Sequence, residues 1–267
     1  MTAPDILLTN DDGVDSEGLY ALYDALSSLG SVTVVAPAED QSAVGRSLSE
    51  SVEVADHERG HVVDGTPADC VVAGLRSLVP DADLVVSGCN TGANLGTAVL
   101  GRSGTVSAAV ESAFLGVPAI AVSMYIPAEQ FAGGKPALDR EAFAEAASVT
   151  KYLAEHARSN GVFDHADYLN VNLPAPDREA AEMVLTRPSN VYRMDTEASG
   201  ESLAIRNRIW DQMVEGSLDD PPGTDRRAIA DGKVSVTPLE AHHTEDLSAD
   251  FAALLSGYNE SRPTPEG

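Results

Sequence analysis

The sequence is short of lysine and of basic residues in general. Its 267 residues include only three lysines, Lys135, Lys151 and Lys233, and 17 basic residues face 42 acidic ones, for a formal net charge of −25. A nucleic-acid binder needs a basic face to neutralise phosphates, so this composition argues against nucleic acid as a partner. We interpret the acidic, lysine-poor composition as adaptation to concentrated salt, which screens repulsion among carboxylates. An ordinary acidic protein is the alternative.

Disulfide frameworks, leader sequences and long apolar runs are also missing. Cys70 and Cys89 lie in apolar contexts at a spacing that matches no zinc motif, so we expect two buried free thiols. Residues 1–12 lack the basic and apolar regions of a signal peptide, and no run approaches the ~18 apolar residues of a membrane span. The sequence therefore predicts a cytoplasmic protein with no membrane partner.

Strand and helix patterns alternate through the first 180 residues. Apolar runs predict strands at 6–8, 32–36, 84–86, 119–122 and 168–173. Helical periodicity and stop signals predict helices at about 16–30, from 67, through 106–113 and at about 139–158. Strands that are apolar on both faces and alternate with helices predict a mostly parallel α/β sheet with helices on both faces.

The pattern changes after about residue 180. Isolated strands are predicted at 183–187, 202–210 and 234–236, with polar loops between them. We interpret residues 1–180 as the α/β core and 181–267 as a β-rich extension, with a hairpin that serves oligomer contact. A terminal helix at 247–255 and a frayed polar tail at 256–267 complete the prediction.

Oxygen-bearing side chains follow the predicted strands at one edge of the sheet, where open α/β sheets bind ligands. Two of them, Asp11 and Asp12, are adjacent carboxylates that repel each other, and a hard divalent cation would relieve that repulsion. The alternative is an ordinary turn that caps the next helix. The full set at this edge is Asn10, Asp11, Asp12, Asp40, Gln41, Ser42, Ser87, Asn90, Asn94 and Ser123.

Two further segments have ligand-binding character. The glycine-rich residues 88–96 offer Asn90 and Asn94 to a metal or an anion, but lack the lysine of a P-loop and the spacing of a dinucleotide motif. Ser103, Gly104 and Thr105 begin a predicted helix, whose free N–H groups make a phosphate site. A flexible loop and ordinary helix capping are the alternatives for these two segments.

An ordered set of motifs over about residues 5–240 carries a family resemblance. The motifs are ILLTNDDG at 6–13, VAP at 35–37 followed by Ser42, GTPADCV at 65–71, VSGCNTGANLG at 86–96, SGTV at 103–106, GVPAIAVS at 116–123 and VSVTPL at 234–239. Their order resembles that of the SurE (survival protein E) nucleotidases, which are metal-dependent phosphatases of nucleoside 5′- and 3′-monophosphates.

The resemblance implies a Rossmann-like core, a swapped C-terminal hairpin and a homodimer or homotetramer. It also implies one divalent ion per subunit, Mg²⁺ or Mn²⁺, on Asp11, Asp12, Ser42 and Asn90, with Asp11 and Asp12 as the catalytic pair. On this interpretation water attacks the phosphoryl group of a nucleoside monophosphate. We expect the phosphate to be held by Asn94, Ser103, Gly104 and Thr105.

Two positions depart from the family pattern, and two other functions remain open. Arg102 stands where the family often has an aromatic residue, and Cys89 stands where it commonly has Ile or Val. Because of Arg102, the substrate preference of this chain could differ from the one that the family resemblance implies.

Two functions are alternatives to a phosphatase that uses water as the nucleophile. One is a phosphatase that forms an aspartyl-phosphate on Asp11 or Asp12, and the other is a catalytically silent oligomer that binds metal or nucleotide.

Overall fold

A nine-stranded mixed sheet runs through the molecule, and a two-stranded hairpin lies outside it. The computed structural model describes residues 3–131, 134–176, 181–200 and 202–242. The strands are β1 (Asp5–Thr9), β2 (Ser31–Pro37), β3 (Glu53–His57), β4 (Gly60–Asp64), β5 (Leu84–Thr91), β6 (Ala119–Met124), β7 (Tyr168–Leu173), β8 (Met183–Leu185), β9 (Met194–Ser199), β10 (Ser202–Asn207) and β11 (Val234–Leu239). The helices are α1 (Glu17–Leu26), α2 (Pro67–Ala73), α3 (Thr97–Leu100), α4 (Gly104–Phe114), α5 (Ala144–His156), α6 (Arg208–Glu215) and α7 (Asp225–Ala230).

The centre of the sheet is parallel, as the sequence predicts. The strand order is β3-β4-β2-β1-β5-β6-β7-β11-β8, and β1 pairs in parallel with both β2 and β5. The pairs β5–β6 and β6–β7 are also parallel, whereas β3 and β11 run antiparallel to β4 and β7. The carboxyl ends of β1, β2, β5, β6 and β7 therefore meet at one edge.

Helices cover both faces of this sheet. Ile6 and Leu8 of β1 pack into a core with α1 and α5, while Leu7 between them packs into a second core with α2 and α4. All three side chains are fully buried. This alternation explains why β1 is apolar at consecutive positions, and it confirms the predicted α/β architecture.

Local caps fix where the helices begin. Ser16 caps α1 by accepting a hydrogen bond from the Leu19 N–H, and Thr66 and Asp69 form a capping box before α2. The predicted end of the first helix at Gly30 is wrong, because α1 ends at Leu26. Gly30 instead permits a close backbone approach, since a Cβ there would lie 2.1 Å from the Pro4 carbonyl oxygen.

The structure differs from the sequence predictions mainly in polar segments. Strands β3 and β4 were not predicted, and the predicted strand 202–210 is divided between β10 and helix α6. Strands β8 and β11 join the main sheet, and β9 and β10 form the separate hairpin. The predicted helix at 247–255 and the tail at 256–267 lie outside the described residues.

The cysteine prediction is confirmed, because Cys70 and Cys89 are free and buried. Burial raises the pKa of both thiols, so both stay protonated at neutral pH. Among the described residues, the structure contains no helix with the length and apolar character needed to cross a bilayer.

Candidate active site

A cavity of about 450 Å³ opens at the carboxyl edge of the sheet. Its volume lies in the range of small-molecule sites. Asp12 lies beside it, in an adjoining cavity of about 150 Å³ that shares Thr91 and Lys135 with the larger one. Five predicted site residues line the larger cavity: Asp11, Ser42, Asn90, Asn94 and Ser103. Its other polar or aromatic lining residues include Asp40, Arg102, Phe131 and Lys135.

Asp11 follows β1 and is buried against the first turn of α4. The Thr105 hydroxyl donates a 2.6 Å hydrogen bond to Asp11 Oδ1. A Cβ at Gly104 would lie 2.8 Å from the Asp11 Cβ, so glycine is needed for this approach. Burial, followed by the neighbouring charge of Asp12, raises the pKa of Asp11 to about 6. The ionised form of Asp11 is therefore unfavourable without a compensating cation.

Asp12 is held between the ends of two neighbouring strands. The Thr91 N–H, at the end of β5, donates a 3.0 Å hydrogen bond to Asp12 Oδ2. The other carboxylate oxygen, Oδ1, pairs with the ammonium group of Lys135. The side chain is only 5% exposed, so its orientation is fixed by these contacts.

Ser42 and Asn90 supply the remaining predicted ligands. Asn90 Nδ2 donates a 2.6 Å hydrogen bond to the Gly92 carbonyl, which leaves the amide oxygen for a cation. Ser42 follows β2, and its backbone N–H donates to Asp40 Oδ1 at 2.7 Å. Carboxylate, amide and hydroxyl oxygens form the donor set that a hard divalent cation prefers.

The oxygen atoms of the predicted ligand set have the chemistry to hold a divalent metal ion. Within the described ranges, no group of three or more His, Cys, Asp or Glu side chains is arranged as a metal site. The predicted set does not need one, because it combines two carboxylates with Ser42 and Asn90. A cation already lies among these oxygens, since Lys135 Nζ contacts Asp12 and is 3.4 Å from Ser42 Oγ. The residues therefore fit a divalent ion.

Asp40 is a third carboxylate at this place. Its Oδ2 atom lies 3.0 Å from Lys135 Nζ. Burial acts to raise the pKa of Asp40, but hydrogen bonds from Ser42 and Lys135 outweigh it, and the pKa is lowered. Burial acts to lower the pKa of Lys135, but the charges and hydrogen bonds of Asp12 and Asp40 together outweigh it, and the pKa is raised. Both groups are therefore charged at neutral pH.

The predicted phosphate-binding side chains are engaged with other protein groups. Asn94 Nδ2 donates to Ser123 Oγ at 2.8 Å, and its backbone N–H donates to Asn172 Oδ1 at 2.8 Å. Ser103 Oγ accepts from the Val106 N–H and caps α4. Thr105 donates to Asp11, so each of these three side chains already has a hydrogen-bond partner within the protein.

Three residues of this region were not among the predicted site residues. Asp40 was part of the edge survey but was not assigned as a ligand. Lys135 lies in a loop without any pattern, and its only signal was the rarity of lysine. Asn172 lies in β7. Its side-chain oxygen accepts a hydrogen bond from the Asn94 backbone N–H, and its side-chain NH₂ donates one to the Asn94 carbonyl. The sequence signal that could have identified Asn172 is that a polar residue occurs in a strand that is buried on both faces.

Arg102, one of the two departures from the family pattern, lines the mouth of the cavity. Its guanidinium donates a 3.1 Å hydrogen bond to the Tyr192 hydroxyl and lies 6.0 Å from the centre of that ring. This contact brings the segment before β9 to the cavity. The other departure, Cys89, is fully buried and does not line the cavity.

Comparisons with known proteins agree with this architecture. A family model described as "Survival protein SurE" matches residues 6–195. The chain is 56% identical over 259 residues to a protein of Haloarcula marismortui named "5′-nucleotidase SurE", covering 97% of this chain and 96% of that protein. A protein of Natronomonas pharaonis with the same name is 57% identical over 255 residues, covering 95% and 99%.

A solved structure extends the likeness to three dimensions. The crystal structure of the SurE protein from Aquifex aeolicus shares 34% sequence identity with a TM-score of 0.75, covering 97% of this chain and all of that one. The family model, the two full-length relatives and this structure lead to one conclusion: the chain belongs to the SurE family.

Proposed function

We propose that this chain is a nucleotidase, a phosphoric monoester hydrolase that converts nucleoside 5′-monophosphates to nucleoside and phosphate. The relatives from Haloarcula marismortui and Natronomonas pharaonis are named 5′-nucleotidases, and the match extends over nearly the whole of each chain. The observation that carries the proposal is the meeting of Asp11, Asp12, Ser42 and Asn90 at one edge of the sheet. Hydrolysis of 3′-monophosphates rests on the sequence resemblance.

Electrostatics supports a metal in this reaction. Asp11, Asp12 and Asp40 place three carboxylates at the cavity, against the cations Lys135 and Arg102. A phosphate dianion would meet net negative charge there without a further cation. We propose that Asp11, Asp12, Ser42 and Asn90 hold one Mg²⁺ or Mn²⁺ ion. Such an ion supplies Lewis-acid polarisation of the phosphoryl group.

The protein's own groups orient the reaction. Thr105 and Gly104 fix the Asp11 carboxylate, and the Thr91 N–H fixes Asp12. The N-terminus of α4 reaches the cavity at Ser103, where its N–H groups and positive dipole end favour phosphate oxygens. We propose that Asn94 and residues 103–105 bind the phosphate as water attacks it.

Phosphate release from a panel of esters tests the proposed function. We expect nucleoside 5′-monophosphates to be hydrolysed with Mg²⁺ or Mn²⁺ and activity to be lost with a chelator. Asp12→Asn should lower turnover on the order of 100-fold or more, because it removes one charge from the ion's site. The control Asp15→Asn removes an exposed carboxylate that bonds Tyr20 and should leave turnover unchanged. Near-normal turnover of Asp12→Asn at saturating Mn²⁺ would contradict the ligand assignment.

The alternatives give other outcomes in the same preparation. Attack by Asp11 or Asp12 would form an aspartyl-phosphate, which rapid quenching and borohydride reduction would convert to homoserine at that position. A silent binding protein would show metal-dependent nucleotide binding without phosphate release. Attack by water on the ester itself predicts that no aspartyl-phosphate is trapped.

The hairpin outside the main sheet supports an oligomer. In β10, Leu203 is 66% exposed and Ile205 is 74% exposed, although both are large apolar side chains. A two-stranded hairpin has too little partner surface of its own to be stable in water. We therefore propose a homodimer or homotetramer in which the extension 181–267 makes the contact, and a cytoplasmic location, as the sequence predicts.

A further inference from the structure

Lysine is the rarest charged residue of this chain, yet one of its three copies lies in the acidic cavity. Lys233 pairs with Glu182 at 2.9 Å on the surface, and Lys151 lies on α5. Lys135 belongs to the connection between β6 and α5 and reaches back to residues that follow β1 and β2. In a chain of net charge −25 with only three lysines, the position of Lys135 among carboxylates suggests that it has a role at this site.

The ammonium group of Lys135 uses oxygens that the proposed metal also needs. It contacts Asp12 Oδ1, lies 3.0 Å from Asp40 Oδ2 and lies 3.4 Å from Ser42 Oγ. Asp12 and Ser42 belong to the proposed ligand set. An ammonium group and a divalent ion repel each other when both contact the same oxygens. Binding of one cation therefore favours departure of the other.

We propose that Lys135 is the resident cation of the metal-free site, and that a divalent ion displaces it and frees it to contact the substrate phosphate. This inference rests on the proposed function. Before the metal binds, the ammonium neutralises the repulsion between Asp12 and Asp40. After displacement, its side chain still lines the 450 Å³ cavity, where the phosphate dianion is the nearest new anion.

Metal affinity tests the first half of the exchange without measuring activity. Free Mn²⁺ is followed by electron paramagnetic resonance at fixed KCl concentration without phosphate. Lys135→Met should bind Mn²⁺ roughly three- to tenfold more tightly than the wild type, as expected for loss of a partly buried ion pair. Lys135→Arg keeps the cation and should stay near the wild type. Lys233→Met is the matched control, because it makes the same charge change and removes a surface ion pair.

Displacement itself has a spectroscopic signature. With only three lysines, a chain labelled with ¹³C at lysine Cε gives three signals, and the one missing in Lys135→Met belongs to Lys135. Saturating Mg²⁺ should shift that signal and leave those of Lys151 and Lys233 in place. A Lys135 signal that Mg²⁺ leaves unchanged would overturn the displacement.

Inorganic phosphate tests the second half. At saturating Mg²⁺, Lys135→Met should bind phosphate at least about threefold more weakly than the wild type, whereas Lys233→Met should bind it equally. Equal phosphate affinity in Lys135→Met would overturn the phosphate contact. Wild-type Mn²⁺ binding with no gain in Lys135→Met overturns the exchange alone. A wild type that binds no Mn²⁺ overturns both the exchange and the proposed metal site.

Discussion

Replacing Asp11 by asparagine is expected to abolish metal-dependent phosphate release while making the metal-free protein more stable. Burial and the charge of Asp12 raise the pKa of Asp11 from 3.8 to about 6. That difference of about two units corresponds to about 3 kcal/mol of unfavourable ionisation at neutral pH. Asparagine removes this cost but loses a backbone hydrogen bond from Thr105, for which we subtract about 1 kcal/mol. A net gain of about 1 to 2 kcal/mol follows.

The pH dependence gives the sign of the Asp11 effect. The unfolded chain ionises Asp11 near 3.8, whereas the folded chain holds its proton until about 6, so stability falls as the pH rises between these values. The gain from Asp11→Asn should thus be absent below pH 4 and complete above pH 6. Urea unfolding with a chelator at fixed KCl measures it. Asp40→Asn is the control and should lose stability at neutral pH, because the pKa of Asp40 is lowered. A less stable Asp11→Asn at pH 7.5 would contradict the account.

Molar salt is expected to raise the melting temperature by about 10 °C or more relative to 0.1 M KCl. The chain carries 42 acidic and 17 basic residues, so repulsion dominates its surface at low ionic strength. The Debye length falls from ~10 Å at 0.1 M to ~3 Å at 1 M, which screens most exposed pairs. We expect most of the rise below about 1 M for this reason.

Metal should restore only part of the stability lost at low salt. A bound ion acts on Asp11 and Asp12 at short range and stabilises the folded state by mass action, while the rest of the surface stays unscreened. Melts at 0.1 M and 2 M KCl, each with chelator and with Mn²⁺, separate the two effects. Sucrose in place of KCl is the control for solvent exclusion. Equal melting temperatures across the KCl series would remove the salt-adapted interpretation and leave the family membership untouched.

The central strands could be predicted because their sequence signal is strong and local. Strands β1, β2, β5, β6 and β7 are buried on both faces and appear as apolar runs. Strand β3 is mostly exposed and contains Glu53, Asp56 and His57, so no hydrophobic pattern marks it. Strand β3 forms because it pairs with β4, a contact that its own sequence pattern does not indicate. The predicted strand 202–210 was too long, because the Asn207 side chain accepts from the Ile209 N–H and begins α6.

The acidic part of the site was accessible from the sequence for a similar reason. Asp11, Asp12 and Ser42 follow parallel strands and Asn90 lies near the end of β5, and parallel topology brings strand ends together. The contact of Lys135 with Asp12 joins positions 123 residues apart through a loop. Neither periodicity nor spacing encodes such a contact. The contact between Asn172 in β7 and Asn94 after β5 is also not encoded locally, because it depends on the pairing of β6 with both β5 and β7.

Location of Mn²⁺ by anomalous scattering from crystals of the wild-type protein tests the central claim most directly. The account predicts one peak per chain, coordinated by oxygens of Asp11, Asp12, Ser42 and Asn90, with Lys135 Nζ withdrawn from Asp12. Crystals of Asp12→Asn at the same Mn²⁺ concentration should show a weaker peak or none. A wild-type peak held by other residues, or no peak at saturating Mn²⁺, would contradict it.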